Sequence, residues 1–391
     1  MNFYQTKKSD YVQSTESFII ETKPLNKPEQ FSNKNIPLYD GLPGIEKNIK
    51  RIELVSNETP VEIMKNLQKK INSQANLFIK RDDLTNPIYG GNKARKLEFT
   101  MADILVKGSK RIITGGGLGS HMTVAISAFA KQFNIPVDIV LIKQPVNEHV
   151  KSNLLLDKYF GANMEYSSNY ISFAADIAKK YAEGWTKDNK MPYIILPGDS
   201  NPLSDLGYVN ASFEMKKQIQ QGKMPEPDYI FLAAGSCGTM AGLVAGLRLA
   251  GLKTKVVGVQ VSDGFFTNEN TVSGLANKTL EFIAKNSCVK TSSMKIKEND
   301  FIMLHNYLGE GYGYSTSEAE STLELLKKTE NINLDITYTA KAMAAMIDFA
   351  KLPENNGKNI MFLNTYNSND LSKESESVNY LDLPKEFRKL F

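Results

Sequence analysis

The chain is poor in the residues that mark disulfide-rich or metal-binding proteins. Among its 391 residues are two cysteines, three histidines and one tryptophan. Cys237 and Cys288 are too few for a disulfide framework, and His149 and His305 have no partners at metal-ligand spacing. The composition therefore argues against a small secreted scaffold, favours a reducing compartment and predicts no metal site.

Charge and hydropathy also exclude several classes of partner. The net charge of +4 comes from mixed basic and acidic residues, without the basic stripe that nucleic-acid binding needs. The N-terminal MNFYQTKKSD lacks the apolar core of a signal peptide. The most apolar window, residues 229–251, is broken by GSCGT and contains Arg248, so it predicts a strand, a glycine turn and a buried helix. We expect a cytoplasmic protein that binds neither nucleic acid nor membrane.

Apolar strand-like runs alternate with helical patterns along most of the chain. Near-continuous apolar strands that alternate with helices predict parallel sheets buried on both faces, and ligands of such folds bind at the carboxyl ends of the strands. The predicted strands are residues 76–81, 111–116, 137–142, 193–198, 229–234, 255–262 and 359–365, and the predicted helices include 120–133, 204–220, 315–328 and 339–351.

Two of these strands run into glycine-rich loops that open helices. Residues 235–242 read GSCGTMAG, and their free N–H groups, with the hydroxyls of Ser236 and Thr239, suit a phosphate monoester. Residues 115–121 read GGGLGSH, where Ser120 is the expected helix cap and the helix start suits a small carboxylate. Each loop taken alone is explained equally well by a packing turn.

Residues 89–99 read YGGNKARKLEF, in which a glycine turn precedes Lys93 at the expected start of a helix. A lysine beside Arg95 and Lys96 has a lowered pKa, which makes its amine nucleophilic near neutral pH. With two anion-binding loops, the pattern predicts a Schiff base between Lys93 and a phosphorylated aldehyde cofactor. A nucleotide-binding regulator that uses the glycine loops is the alternative, and it predicts no Schiff base.

Several ordered motifs together resemble one enzyme family. Residues 80–99 (KRDDLTNPIYGGNKARKLEF) are similar to the signature of the D-cysteine desulfhydrase and 1-aminocyclopropane-1-carboxylate deaminase family, and GGLGSH, GSCGTMAGL, YLGEGYGYST, LDITYTAKAMAAMI and IMFLNT follow in order. The resemblance covers about residues 50–366. It implies a two-domain α/β fold of type II for pyridoxal-phosphate enzymes, with parallel-type sheets flanked by helices.

The resemblance also implies roles for individual residues. Lys93 matches the lysine that bonds pyridoxal 5'-phosphate and moves the α-proton, and Ser120 matches a serine near the substrate carboxylate. Tyr312 and Tyr338 match two active-site tyrosines, one of which assists at the β-carbon or protonates the leaving group. The remaining implied cofactor contacts are Asn92, Lys96, His121, Gly235, Ser236, Cys237, Gly238, Thr239, Thr339 and Thr365.

Some positions depart from the family pattern on the substrate side. Thr339 stands where the deaminase has glutamate and Thr365 where desulfhydrases have threonine, which favours elimination over ring opening. His121 replaces an asparagine that bonds the cofactor's ring oxygen, a bond that an imidazole can also donate. Met122 and Val124 replace polar residues, from which we expect a substrate bulkier or less polar than D-cysteine.

The prediction is therefore a pyridoxal-phosphate-dependent lyase that converts a small amino acid to a 2-oxo acid and ammonia. A 1-aminocyclopropane-1-carboxylate deaminase and a non-catalytic cofactor-binding protein are the alternatives. We expect a polar N-terminal arm (1–36), a large domain (37–95 with 207–391) and a small inserted domain (96–206). The resemblance further implies a homodimer.

Overall fold

A computed structural model describes residues 31–32 and 36–391, so the expected N-terminal arm lies almost wholly outside the described residues. The strands are β1 Val61–Ile63, β2 Asn76–Lys80, β3 Ile112–Gly117, β4 Val137–Ile142, β5 Asn163–Ser167, β6 Tyr193–Ile195, β7 Tyr229–Ala234, β8 Lys255–Gln260, β9 Ile302–Leu304 and β10 Asn359–Leu363. The helices are α1 Pro37–Gly41, α2 Ile45–Asn48, α3 Lys65–Lys70, α4 Asn92–Lys107, α5 His121–Gln132, α6 Glu148–Tyr159, α7 Tyr170–Asp188, α8 Pro202–Gln220, α9 Gly238–Ala250, α10 Glu269–Asn286, α11 Ser317–Glu330, α12 Thr339–Ala350, α13 Ser372–Glu376 and α14 Lys385–Arg388.

The strands of the described chain form two sheets. The larger has the order β1-β2-β10-β7-β8-β9, in which β1 is antiparallel to β2 and the other pairs are parallel. The smaller has the order β5-β4-β3-β6 and is parallel throughout. Each parallel pair needs a crossover, which the intervening helices supply. The predicted α/β architecture is confirmed.

Buried apolar side chains pack both sheets against their helices. One cluster joins β3, β4 and α5, and two others cover the faces of the larger sheet. Leu383 and Phe387, near the C-terminus, pack in the same cluster as β3 and β4. The division into domains at residues 95 and 206 remains a proposal, and this packing shows that the last residues contact the smaller sheet.

The functional loops lie at the carboxyl ends of parallel strands, as such folds require. β3 leads into α5 through residues 118–120, β7 leads into α9 through residues 235–237, and β10 ends directly before Asn364 and Thr365. In the part of the chain that the structure describes, no helix is long and apolar enough to span a bilayer. The apolar window at 229–251 is β7, a glycine loop and α9, as predicted.

Candidate active site

The glycine turn before Lys93 places the start of α4 against the end of β10. Gly91 has φ of +85°, and a Cβ there would lie 2.5 Å from the carbonyl oxygen of Thr365, so only glycine fits. The Asn92 N–H donates to the same carbonyl at 3.2 Å. Burial and the Lys96 ammonium lower the pKa of Lys93 from 10.5 to about 7. The amine is therefore partly unprotonated at neutral pH, as predicted from its basic neighbours.

The loop from Gly235 to Thr239, here called the phosphate loop, joins β7 to α9. The Asn92 side chain donates to the Thr239 hydroxyl at 2.9 Å, which ties this loop to the lysine helix. The Ser200 hydroxyl accepts from the Gly238 N–H at 3.2 Å and donates to Ser236 at 2.8 Å. Polar donors from three helix starts, those of α4, α8 and α9, thus converge at this loop.

Cys237 lies within the phosphate loop but its thiol is not presented to a ligand. Its φ is +65°, a conformation uncommon for a residue with a side chain. The thiol is 3% exposed and faces the carbonyl oxygens of Gly235 and Phe266, and burial raises its pKa to about 12. The Cys237 side chain is therefore a packing residue of the loop.

Ser120 caps α5 as predicted. Its Oγ accepts from the N–H groups of Met122 and Thr123 at 3.2 and 3.4 Å. Gly116 lies beside it, since a Cβ there would come within 3.0 Å of the Ser120 Oγ. The helix start therefore lies at the end of β3 with its positive dipole directed outward, and it suits a small carboxylate.

His121 lies in a group of aromatic rings next to the α5 start. Its Nδ1 is 2.9 Å from the Tyr89 hydroxyl, and its ring centroid is 4.6 Å from that of His149. The rings of Tyr338 and Tyr366 lie edge-on at 5.7 and 5.6 Å. Burial, His149 and Lys93 all lower the pKa of His121 well below 6.5, so its imidazole is neutral at pH 7.

Tyr312 and Tyr338 form a hydroxyl pair. Their Oη atoms are hydrogen-bonded to each other and their rings pack edge-on, with centroids 5.9 Å apart. Asp335 fixes the second tyrosine, because its carboxylate accepts from the Tyr338 N–H at 2.7 Å. Burial raises the pKa of both phenols, so each carries its proton at neutral pH.

The two threonines proposed to face the pyridine nitrogen occupy different settings. The Thr339 hydroxyl accepts from the Asp335 N–H at 2.8 Å and lies 3.1 Å from its carboxylate, so it is engaged in the turn before α12. Thr365 is partly exposed at the end of β10, where its carbonyl holds Asn92. Of the two, Thr365 is the one whose side chain is available to a ligand.

Met122 and Val124, which depart from the family pattern, belong to the hydrophobic core next to the candidate site. Both side chains are buried, at 2% and 0% exposure, and belong to the hydrophobic cluster that includes Leu97 and Phe129. The expectation of a substrate bulkier or less polar than D-cysteine stays a prediction.

Sequence reasoning missed residues that reach the site from other segments. Ser200 could have been found, since it precedes a helix in a GDSN loop after a predicted strand. His149 was considered only as a metal ligand, and nothing in the local sequence indicates its contact with His121. Tyr366 was not among the predicted site residues, and its ring lies edge-on to the same imidazole.

These residues fit the phosphorylated aldehyde that the motifs imply. The buried His121 Nε2 has no hydrogen-bond partner among residues 31–32 and 36–391, so it is available to a polar atom of a bound ring. The phosphate loop offers backbone N–H groups at the start of α9, and Asn92, which bonds this loop, directly precedes Lys93 with its lowered pKa. The candidate site thus combines a glycine-containing loop with N–H groups at a helix start, an amine with a lowered pKa and an imidazole nitrogen without a partner in the described chain.

Comparison with known proteins gives a consistent result. The family model described as "Pyridoxal-phosphate dependent enzyme" matches residues 52–365. A putative 1-aminocyclopropane-1-carboxylate deaminase from Pyrococcus furiosus is 35% identical over 320 residues, covering 81% of this chain and 91% of the relative. A D-cysteine desulfhydrase from Klebsiella pneumoniae is 32% identical over 304 residues, covering 76% and 88%.

Solved structures show the same fold. A crystal structure of an "ACC deaminase homologue" superposes with a TM-score of 0.71 at 29% identity and covers 87% of this chain and 98% of that one. A fungal L-serine ammonia-lyase from Rhizomucor miehei has a TM-score of 0.56 at 18% identity, which shows the fold alone. The resemblance found in the motifs is confirmed. Because the family model matches most of this chain, the chain belongs to the pyridoxal-phosphate dependent enzyme family and is a lyase that uses this cofactor.

Proposed function

We propose that this lyase eliminates a β-substituent from a small amino acid, with D-cysteine as the first candidate, and releases a 2-oxo acid and ammonia. The observation that carries the proposal is the position of Lys93. Its amine has a pKa of about 7, its neighbour Asn92 is hydrogen-bonded to Thr239 of the phosphate loop, and Gly235 of that loop lies against the ring of Tyr338. A base poised near the operating pH suits the removal and return of an α-proton.

The cofactor would be held by residues that already converge. The phosphate loop, Asn92 and Lys96 would bind its phosphate, His121 Nε2 its ring oxygen, and Thr365 its ring nitrogen. When bound, pyridoxal phosphate supplies an electron sink for the charge that develops on the α-carbon. A threonine hydroxyl at the nitrogen, rather than a carboxylate, supports elimination.

The chain's own groups account for the remaining steps. The start of α5 at Ser120 binds the substrate carboxylate and orients the α-carbon, and Lys93 removes the α-proton. The Tyr312–Tyr338 pair lies where it can donate a proton to the departing β-substituent, such as a thiolate. Because both phenols remain protonated at neutral pH, either can act as the acid.

The deaminase and the non-catalytic protein are the alternatives that need excluding. Relatives named as the deaminase and as D-cysteine desulfhydrase have comparable sequence identity to this chain, so identity alone does not choose between these two activities. The Thr339 and Thr365 positions favour the desulfhydrase. The cytoplasmic location, the homodimer and the division into two domains belong to the proposal as well.

A product assay tests the proposal directly. Purified protein is incubated with D-cysteine, L-cysteine or 1-aminocyclopropane-1-carboxylate, and ammonia, sulfide and the 2-oxo acid are measured. We expect pyruvate, sulfide and ammonia from D-cysteine, no product from the Lys93→Ala variant, and full activity in Lys107→Ala, an exposed lysine on the same helix. Release of 2-oxobutanoate from the cyclopropane compound alone would support the deaminase. Borohydride labelling of Lys93 without product or α-proton exchange from any of these substrates would support a cofactor-binding protein without turnover.

A further inference from the structure

A buried carboxyl group lies directly behind the phosphate loop. A Cβ built on Gly238 would lie 2.6 Å from the Lys96 Nζ, 2.6 Å from the Ser200 Oγ and 2.8 Å from the Asp205 Oδ1. The three side chains come from α4, the segment before α8, and α8 itself. They therefore meet at the first residue of α9, where a phosphate would bind.

The Asp205 carboxyl is poorly compensated as an anion. Its side chain is 0% exposed, its Oδ2 accepts from the Thr279 hydroxyl at 3.2 Å, and its Oδ1 has no partner among the residues that the structure describes. Burial raises the pKa of Asp205 well above 3.8, and Lys96 only partly opposes this. Ionised Asp205 next to a phosphate dianion would add a like charge at a desolvated site.

Lys96 is the cation that the carboxyl and a phosphate would share. Its Nζ donates to the Gly198 carbonyl at 2.7 Å, and the side chain is 1% exposed. Burial lowers the pKa of Lys96, while Asp205 and Asp199 raise it. The pKa of Asp205 is raised and that of Lys96 is lowered, so the two groups approach each other in proton affinity and their titrations are coupled.

The other titratable groups facing this pair have defined states. Asp199 accepts from Thr100 at 2.7 Å and from Asn201 at 2.7 Å, and burial raises its pKa to about 6, so it is largely ionised at pH 8. The Cys237 thiol is neutral because burial raises its pKa to about 12, and α10 contributes the hydroxyl of Thr279. Lys93 lies on α4 one turn before Lys96.

We propose that Asp205 takes up one proton from solvent when a phosphate monoester binds the phosphate loop, so that Lys96 directs its positive charge to the phosphate alone. In the free protein the Lys96–Asp205 pair carries one proton, and with phosphate bound it carries two. Asp205 then contacts the site as a neutral acid and can donate a hydrogen bond. The inference rests on the cofactor being phosphorylated and is independent of the substrate.

This linkage makes phosphate affinity depend on pH. If one proton is taken up with the phosphate, affinity falls by about tenfold for each pH unit above the range where the pair already holds two protons. Attachment of the aldehyde to Lys93 has the opposite dependence, because it needs the unprotonated amine. Pyridoxal, which has the aldehyde but no phosphate, reports the second effect alone.

Calorimetry with the full-length chain, freed of cofactor, tests the proposal. Pyridoxal phosphate and pyridoxal are titrated at pH 8 in two buffers of different ionisation enthalpy, which yields the protons taken up per ligand. At this pH the phosphate, with a pKa of about 6, is already a dianion. We expect the wild type to take up roughly one proton more with pyridoxal phosphate than with pyridoxal. Equal proton uptake with pyridoxal phosphate and with pyridoxal would overturn the proposal, and this comparison needs no variant.

The Asp205→Asn variant locates the proton. It should abolish the extra uptake and should bind pyridoxal phosphate more tightly than the wild type at pH 9, with a flatter pH dependence. Asp348→Asn, an exposed aspartate on α12, removes the same charge at a distance and should behave as the wild type. If a folded Asp205→Asn protein showed the same extra proton uptake as the wild type, another group would take up the proton and the proposal would be wrong. A failure of borohydride to fix either ligand to Lys93 would instead contradict the proposed cofactor attachment.

Discussion

The Asn92 side chain donates its N–H to the Thr239 hydroxyl at 2.9 Å. This bond joins the residue before the reactive lysine to the phosphate loop, and it also sets the direction of the Thr239 hydroxyl. Because a hydroxyl has one proton to donate, an oxygen that accepts from Asn92 keeps that proton for a phosphate oxygen. In the proposed function, this one contact would align cofactor attachment with phosphate binding.

Thr239→Val should therefore weaken the binding of pyridoxal phosphate more than it lowers kcat. Loss of a hydrogen bond to a charged group costs about 1.5–3 kcal/mol, or roughly 10- to 150-fold in Kd. Equilibrium dialysis would measure the affinity, and kcat at saturating cofactor should fall far less. Thr254→Val is the matched control, because its buried hydroxyl has no partner within the described chain and its loss should leave the cofactor Kd unchanged. Equal Kd values for Thr239→Val and wild type would show that the loop is only a packing turn.

The two tyrosines should not be equivalent. Burial raises both pKa values, but the Tyr338 hydroxyl lowers that of Tyr312, whereas Tyr312 raises that of Tyr338. We therefore predict that Tyr338 donates to Tyr312 and that Tyr312 is the better proton donor to a leaving group. Tyr312→Phe should lower kcat by about 10²- to 10⁴-fold, the usual contribution of a general acid.

Tyr338→Phe should cause a smaller loss and a shift in the pH profile. Without its donor, the pKa of Tyr312 rises, so the alkaline fall in kcat should move to higher pH. Stopped-flow kinetics with D-cysteine would measure both variants, and the cofactor absorbance should show equal loading. A larger loss in Tyr338→Phe than in Tyr312→Phe would reverse the assignment.

The parts of the site that the sequence predicted are those encoded locally. Lys93 follows a glycine turn, Ser120 caps a helix, and the phosphate loop follows an apolar strand, so each signal lies within a few residues. The long buried strands, such as β7 and β10, were predicted for the same reason. Their apolar runs are continuous because both faces are covered.

The parts that could not be predicted depend on tertiary contacts. The sequence around Asp205 predicts a helix, on which an acidic residue is expected to be exposed to solvent. Only the packing of α8 on α9 brings Asp205 behind Gly238. The burial of Met122 in the cluster that includes Leu97 likewise depends on packing that the local sequence does not encode. β5 was missed because its sequence, NMEYS, is largely polar.

The two cysteines should differ sharply in reactivity. Cys237 is 3% exposed and burial raises the pKa of its thiol to about 12, whereas Cys288 is exposed. Since the thiolate is the reactive form, only Cys288 should react with Ellman's reagent in the native protein. We expect one thiol per chain before denaturation and two after it, and none before denaturation in Cys288→Ser. Rapid labelling of Cys237 in the native variant would mean that the phosphate loop opens.

A fully buried ion network below α4 should dominate the pH dependence of stability. Glu214 contacts the Lys80 Nζ at 2.5 Å and the Arg95 guanidinium at 2.8 Å, and Arg95 also pairs with Asp82 at 2.8 Å. Burial opposes the ionisation of Glu214, but the two cations outweigh it and hold its pKa well below 4.5. A carboxyl whose pKa is depressed by folding stabilises the protein above its unfolded pKa of about 4.3, and this contribution is lost as the pH falls below that value.

Glu214→Gln should therefore lower the free energy of unfolding at pH 7 by about 3–5 kcal/mol, because it leaves two buried cations without their shared partner. It should also flatten the loss of stability between pH 5 and pH 3 relative to the wild type, by the linkage between bound protons and unfolding. Urea unfolding across this pH range would measure both effects. Glu62→Gln removes a half-exposed partner of Arg81 and should cost no more than about 1 kcal/mol. If the two variants lost similar stability at pH 7, the network would contribute little, and the alignment of Lys93 on α4 would have to depend on the Gly91 turn and the Asn92–Thr239 bond instead.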